Sequence, residues 1–142
     1  RGDPAAGDWE MLQALRSSGA VSLVQQDAAG LDGIINEGGR GLSGGQRRMV
    51  MLSRMVLRQP QVVLLDEPTA AMDEQLEEHV IRQLQGWISG RTLVLVTHRP
   101  ALLKMVDRIV VMDNGRIVAD GPRDEILRRA TTPATPGKGD AA

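Results

Sequence analysis

The chain has 142 residues, enough for one domain or part of a larger one. A formal net charge of −1 gives no support for nucleic-acid binding or a basic membrane-surface patch, and no stretch approaches the ~18 apolar residues of a membrane span. With two Trp, no Phe and no Tyr, a core must be filled by Leu, Val, Ile and Met, and the absence of cysteine excludes disulfide staples.

Taken in order, residues 1–7 carry Gly and Pro and read as loose chain. Asp8 can cap a short helix in which Trp9, Leu12 and Leu15 recur at helical spacing, and Ser17-Ser18-Gly19 ends it. A second short helix is expected over 21–27, then a glycine-rich bend over 34–40. Glu37 in that bend reads, from the residues alone, as a solvated turn glutamate.

Leu42-Ser43-Gly44-Gly45-Gln46 opens the most informative stretch. Ser43 followed three residues later by Gln46 reads as a capping box. The helix behind it, over 43–58, places Val50, Leu57 and the Leu52, Met55 and Val56 group on its apolar side. Helix starts leave backbone N–H groups unpaired and attract anions. Gly44 and Gly45 present no side chain to keep a phosphate away, and the Ser43 hydroxyl adds a donor. An ordinary helix start softened by glycine explains the same residues.

After Gln59-Pro60, the run Val62-Val63-Leu64-Leu65 reads as a strand buried on both faces of a parallel sheet. Asp66 and Glu67 follow at the strand end, where such sheets place ligands. Asp66 could hold Mg2+ through water, and Glu67 could orient a water for attack on a phosphoryl group. A strand ending in a polar turn is the plainer account. Asp73 is placed to cap a helix over 74–88 whose buried stripe would be Leu76, Val80, Leu84 and Trp87 or Ile88. His79 reads as a surface residue. A second buried strand covers 92–96, with His98 at its end near Glu67, where a donor could touch a terminal phosphate. Pro100 opens a helix over 101–106. Asn114-Gly115 between apolar runs signals a hairpin of strands 108–112 and 116–120. A helix follows over 124–129, and residues 131–142 read as a disordered tail.

The order LSGGQ, helix, VVLLDEPT resembles the ATP-binding cassette (ABC) family across roughly residues 30–129. By that resemblance 42–46 is the signature loop, 62–66 the Walker B strand, Glu67 the catalytic carboxylate, 70–73 the D-loop and His98 the switch histidine. It implies an α/β fold, a partial P-loop NTPase. A mostly parallel sheet with flanking helices would be joined by a C-terminal β-hairpin and a helical signature subdomain at about 8–58. Implied catalytic residues are Glu67 and His98. Nucleotide contacts fall to Ser43, Gly44, Gly45, Gln46 and Asp73, with Asp66 at the metal. ATP and Mg2+ are the implied cofactors. A second nucleotide-binding domain and the transmembrane domain of an exporter are the implied partners, at the cytoplasmic face of a membrane, with Glu37 the implied candidate for contact with the coupling segments of the transmembrane domain. No phosphate loop of the form G-x-x-x-x-G-K followed by Ser or Thr occurs in the sequence. The expectation is thus the second half of a nucleotide-binding domain, binding ATP weakly or not at all alone. The glycine run before the signature and Ala71-Met72-Asp73 are similar to type I protein exporters. A soluble ABC-type ATPase of DNA repair or translation, and a non-catalytic dimerisation module, are the alternatives.

Overall fold

The computed structural model describes residues 5–33, 35 and 41–131. The contact candidate Glu37, most of the bend around it and the tail from 132 lie outside the described residues. The chain divides into two compact units, Arg1–Leu102 and Leu103–Ala142.

In the first unit, α1 (Asp8–Ser17) packs on α3 (Gly44–Leu57) and α4 (Glu74–Ile88), with a short α2 (Val21–Gln25) and a 3-10 turn (Gly30–Asp32) between α1 and α3 in the chain. Gly7, not Asp8, is the N-cap of α1: Glu10 reaches back to the Gly7 N–H at 2.8 Å, so Asp8 falls in the first turn. Ala14 is the buried residue of α1, whereas Trp9 is 71% exposed; it shares the helical period without sharing the packed face.

The α3 stripe runs through Gly45, Met49, Leu52, Ser53 and Val56, leaving Val50 and Leu57 half-buried and Met51 exposed. Buried Ser53 meets buried Ser18 at 2.6 Å between hydroxyls, which tethers the end of α1 to α3. The α4 stripe is Glu77, Val80, Ile81 and Leu84. His79 is half-buried against Gly19, whose positive φ of 78° and missing side chain make room for the imidazole.

Strands β1 (Val62–Asp66) and β2 (Thr92–Val96) pair in parallel, Val62 opposite Thr92 through Asp66 opposite Val96, with α4 as the crossover. Burial of β1 on both faces does not hold among the described residues. Val63 and Leu65 are buried, while Val62 and Leu64 are 56% and 73% exposed. Only one face of this two-stranded sheet is covered by described residues, so side chains of alternate parity stay open. The helix expected over 101–106 is present after β2 as a 3-10 helix (Pro100–Met105).

In the second unit, β3 (Arg108–Asp113) and β4 (Arg116–Pro122) form an antiparallel hairpin with a register shift between Val111 and Met112. Its turn is Asn114-Gly115, with φ of 47° and 75°, the pair of positive angles that a two-residue hairpin turn demands. Helix α5 (Arg123–Thr131) follows, starting one residue before the expected 124, and lays buried Ile126 over Gly121.

Candidate functional site

The start of α3 is built as its sequence dictates. Ser43 Oγ accepts from the Gln46 N–H at 3.1 Å, and Gln46 Oε1 accepts from the Ser43 N–H at 2.8 Å. The Arg47 N–H donates to the Ser43 carbonyl. Among the described residues this leaves the N–H groups of Gly44 and Gly45 as open donors, at the positive end of a helix of 14 residues. The Ser43 hydroxyl accepts in its cap, so its proton is available to an outside acceptor.

The two glycines have a second role that local sequence does not show. A Cβ at Gly44 would stand 3.0 Å from Ala71 Cβ. One at Gly45 would stand 3.0 Å from Leu76 Cδ2 and 3.3 Å from Met72 Cγ. The helix start is therefore packed on loop 70–73, with Met72 buried beneath it. Asp73 ends that loop and caps α4, accepting from the Leu76 N–H at 2.9 Å. Gly45 is buried, so its backbone serves packing at least as much as ligand approach.

The second part of the site lies where β1 and β2 end. The Glu67 N–H donates to the Val96 carbonyl at 2.9 Å, adding one rung beyond the strands. Glu67 then turns into the left-handed region at φ 44°, an uncommon setting for a residue with a side chain. Its Oε1 accepts from the His98 N–H at 2.9 Å and faces His98 Nδ1 at 2.7 Å, while Oε2 accepts from the Thr97 hydroxyl at 3.2 Å. Desolvation opposes charge on this carboxyl. The hydrogen bonds from the His98 ring and backbone, its Coulombic attraction and the Thr97 hydroxyl outweigh it and hold Glu67 below the usual carboxylate range. With Nδ1 donating to Glu67, His98 turns Nε2 outward, and the ring is 83% exposed.

Asp66 is exposed at the end of β1, on the same open face as Val62 and Leu64. Among the described residues no three His, Cys, Asp or Glu side chains cluster to hold a metal. A single exposed carboxylate nevertheless fits Mg2+, which keeps several waters and takes one or two carboxylates together with phosphate oxygens.

The sequence thus placed Glu67 and His98 near each other, and the structure joins them directly. Gly44 and Gly45 pack against the loop that Asp73 closes, and Ser43 and Gln46 cap the helix they begin. Among the described residues no hydrogen bond links these two groups. Four residues of the second group went unseen: Thr97, Thr69, Glu77 and Arg99. Buried Thr69 donates to buried Glu77, which also accepts from Arg99 Nη1 at 2.9 Å. One signal was available for Glu77, a carboxylate sitting in register with Val80, Ile81 and Leu84 on the buried stripe.

The ABC transporter family model matches residues 10–70. The chain is 34% identical over 122 residues to the glutathione/L-cysteine transport system ATP-binding/permease protein CydC of Haemophilus influenzae, covering 86% of this chain and 21% of that protein. It is 38% identical over 124 residues to the ATP-dependent lipid A-core flippase of Neisseria gonorrhoeae, covering 87% and 20%. The leukotoxin translocation ATP-binding protein LktB of Mannheimia haemolytica is 34% identical over 128 residues, with 90% and 18% covered. Among solved structures, a bacterial Atm1-family ABC exporter with ATP bound superposes with a TM-score of 0.82 at 28% identity, over 90% of this chain and 23% of that one. The chain spans about a fifth of the length of the curated relatives it matches.

Proposed function

The chain belongs to the ABC transporter family, and on that premise we propose that it is part of the ATP-binding and ATP-hydrolysing domain of an exporter. The observation that carries this reading is the Glu67 carboxylate, which accepts from the His98 N–H and the Thr97 hydroxyl and faces the His98 ring at the end of a parallel strand pair. A carboxylate so held can orient a water and accept its proton as the water attacks a terminal phosphoryl group. His98 keeps Glu67 aligned through Nδ1 and, when the ring carries both protons, donates from Nε2 toward the departing phosphate charge. Ser43, Gly44 and Gly45 donate to the phosphates of a nucleotide whose main cradle comes from a segment outside these residues, with Gln46 holding the loop through the cap. Asp66 would hold Mg2+, which when bound neutralises charge on the phosphate oxygens. Asp73 fixes the loop that would lie against a second nucleotide-binding domain.

The partners on this reading are that second domain and the transmembrane domain of the exporter, with the site on the cytoplasmic face of the membrane. Residues 8–58 make the helical signature part and 62–129 the part from the Walker B strand onward. The finer reading is a type I protein exporter. It rests on Ala71-Met72-Asp73, on the glycine run before the signature, and on similarity to a leukotoxin translocation protein.

The test is ATPase activity of this chain mixed with a separately made upstream piece bearing a phosphate loop. Wild-type mixtures should hydrolyse ATP, and Glu67→Gln should lower kcat by about 100-fold or more, the scale of a lost general base. Equal rates with Glu67→Gln would overturn the assignment of Glu67. No activity from folded, associated pieces would favour a non-catalytic dimerisation module.

A further inference from the structure

Glu77 stands in the buried stripe of α4 with 7% of its surface exposed, a place carboxylates rarely take unless paired. One oxygen, Oε1, accepts both from the Thr69 hydroxyl at 2.5 Å and from the Arg99 guanidinium at 2.9 Å. Thr69 is fully buried and lies two residues beyond Glu67. Arg99 directly follows His98, and its backbone N–H donates at 3.0 Å to Thr97 Oγ1, the hydroxyl that reaches Glu67. The bonds therefore close a ring. It runs from Glu67 to Thr97, on to Arg99, across to Glu77, down to Thr69 and back along the chain to Glu67. Helix α4 carries the middle of that ring and is capped at its own start by Asp73.

We infer that Glu77 is a positioning residue: by holding Thr69 and Arg99 on one oxygen, it sets the two turns that carry Glu67 and His98 at hydrogen-bonding distance before nucleotide arrives. Its consequence for hydrolysis rests on the function proposed above, whereas the geometric effect does not. Among the described residues the Glu77 carboxylate bonds Thr69 and Arg99, neither of them proposed to meet the nucleotide. It acts through two turns that are otherwise tied, among the described residues, by the strand ladder and the Glu67 contacts themselves. A buried acceptor shared by a hydroxyl and a guanidinium is a stiff joint, because losing either partner leaves polar groups without a bond in a site of low dielectric.

The chain offers its own control. It has two histidines, His98 in the pair and His79 on α4 beside Gly19, so ring NMR signals report the site and the helix separately. In the full chain, Glu77→Ala should move the His98 ring signal most of the way to its position in Glu67→Gln, with His79 unmoved. Glu77→Gln keeps an acceptor oxygen and should hold His98 close to its wild-type position. An unmoved His98 signal in Glu77→Ala overturns the inference. If both histidines move, α4 itself is disturbed, and Arg99→Met decides by opening the ring at the half-exposed side. His98 shifted with His79 fixed supports the inference, and His98 unmoved overturns it. In the ATPase mixture, Glu77→Ala should lower kcat on the order of 10-fold with KM little changed, the pattern of misplacement rather than lost binding. An inactive wild-type mixture would count against the proposed function, while the His98 spectra would still judge the role of Glu77.

Discussion

Replacing Gly45 or Gly86 by alanine is the same chemical change in two helices, with opposite expected signs. Gly45 lies in the first turn of α3 and Gly86 near the end of α4. Alanine is favoured over glycine by about 1 kcal/mol in a helix interior, somewhat less near an end. At Gly86 an added Cβ has nothing within 4 Å, so Gly86→Ala should stabilise by most of that amount. At Gly45 the Cβ meets Leu76 Cδ2 at 3.0 Å, Met72 Cγ at 3.3 Å and the Ala71 carbonyl oxygen at 3.4 Å. Overpacking of this kind costs about 1–3 kcal/mol. Leu76 Cδ2 is a movable chain end, but Met72 is only 5% exposed and the Ala71 oxygen is backbone, so relief is partial. The two variants should then differ by about 1–3 kcal/mol, Gly45→Ala being the weaker. Urea unfolding followed by tryptophan fluorescence reads the first unit alone, because Trp9 and Trp87 both belong to it. With a slope of about 1–3 kcal/mol per molar urea, the midpoints should separate by about 1 M. If Gly45→Ala proves as stable as Gly86→Ala, loop 70–73 is not packed on the start of α3, and the second role given to the signature glycines fails.

Asp120 is gripped by Arg108 through two hydrogen bonds of 2.8 Å, which with Coulombic attraction outweigh desolvation and hold its carboxyl below the usual range. Its contribution to stability is therefore present above pH ~4, the unfolded value, and is lost as pH falls through the lower folded value. The stability gap between wild type and Asp120→Asn, measured by thermal melting, should narrow in acid; a gap independent of pH would refute this. Arg91 stacks over the Trp87 ring at 4.2 Å and bonds both the Trp87 carbonyl and Gln59 Oε1. Lysine lacks the planar fork, so Arg91→Lys should cost about 1 kcal/mol in urea unfolding and alter Trp87 emission. Leu84, 1% exposed in the α4 stripe, should cost about 2–5 kcal/mol when cut to alanine, and a loss below that range would mean a core that collapses to fill the gap.

The features legible in the sequence are those whose partners lie close along the chain. Ser43 and Gln46 cap each other three residues apart, Asp73 caps an N–H three residues on, and Asn114-Gly115 states its own turn. The Glu67–His98 pair was reachable because two strand ends of like polarity belong side by side in a parallel sheet. What stayed hidden depends on which face a neighbour covers. Trp9 keeps the period of α1 yet faces outward, and Val62 and Leu64 are as apolar as Val63 and Leu65 but meet no cover among the described residues. Glu77 is hidden for the opposite reason. A charged residue looks solvated until Thr69, eight residues before it, and Arg99, twenty-two after it, are seen to converge on it. The start of α1 was misplaced by one residue because Glu10 can reach Gly7 without any capping side chain.

The parallel register of β1 and β2 has a further consequence. Asp66 sits opposite Val96 and the Glu67 N–H closes the next rung, so the spacing between carboxylate and imidazole is counted off from a shared ladder. Length changes in the segment between the strands that leave the ladder and the Glu77 turn intact should leave that spacing alone. Inserting or deleting one residue within 62–67 or within 92–98 would instead swing one of the two side chains to the opposite side of the sheet. Natural variation and engineered insertions should accordingly collect in the C-terminal part of α4 and the turn after it, while the two strands keep their lengths.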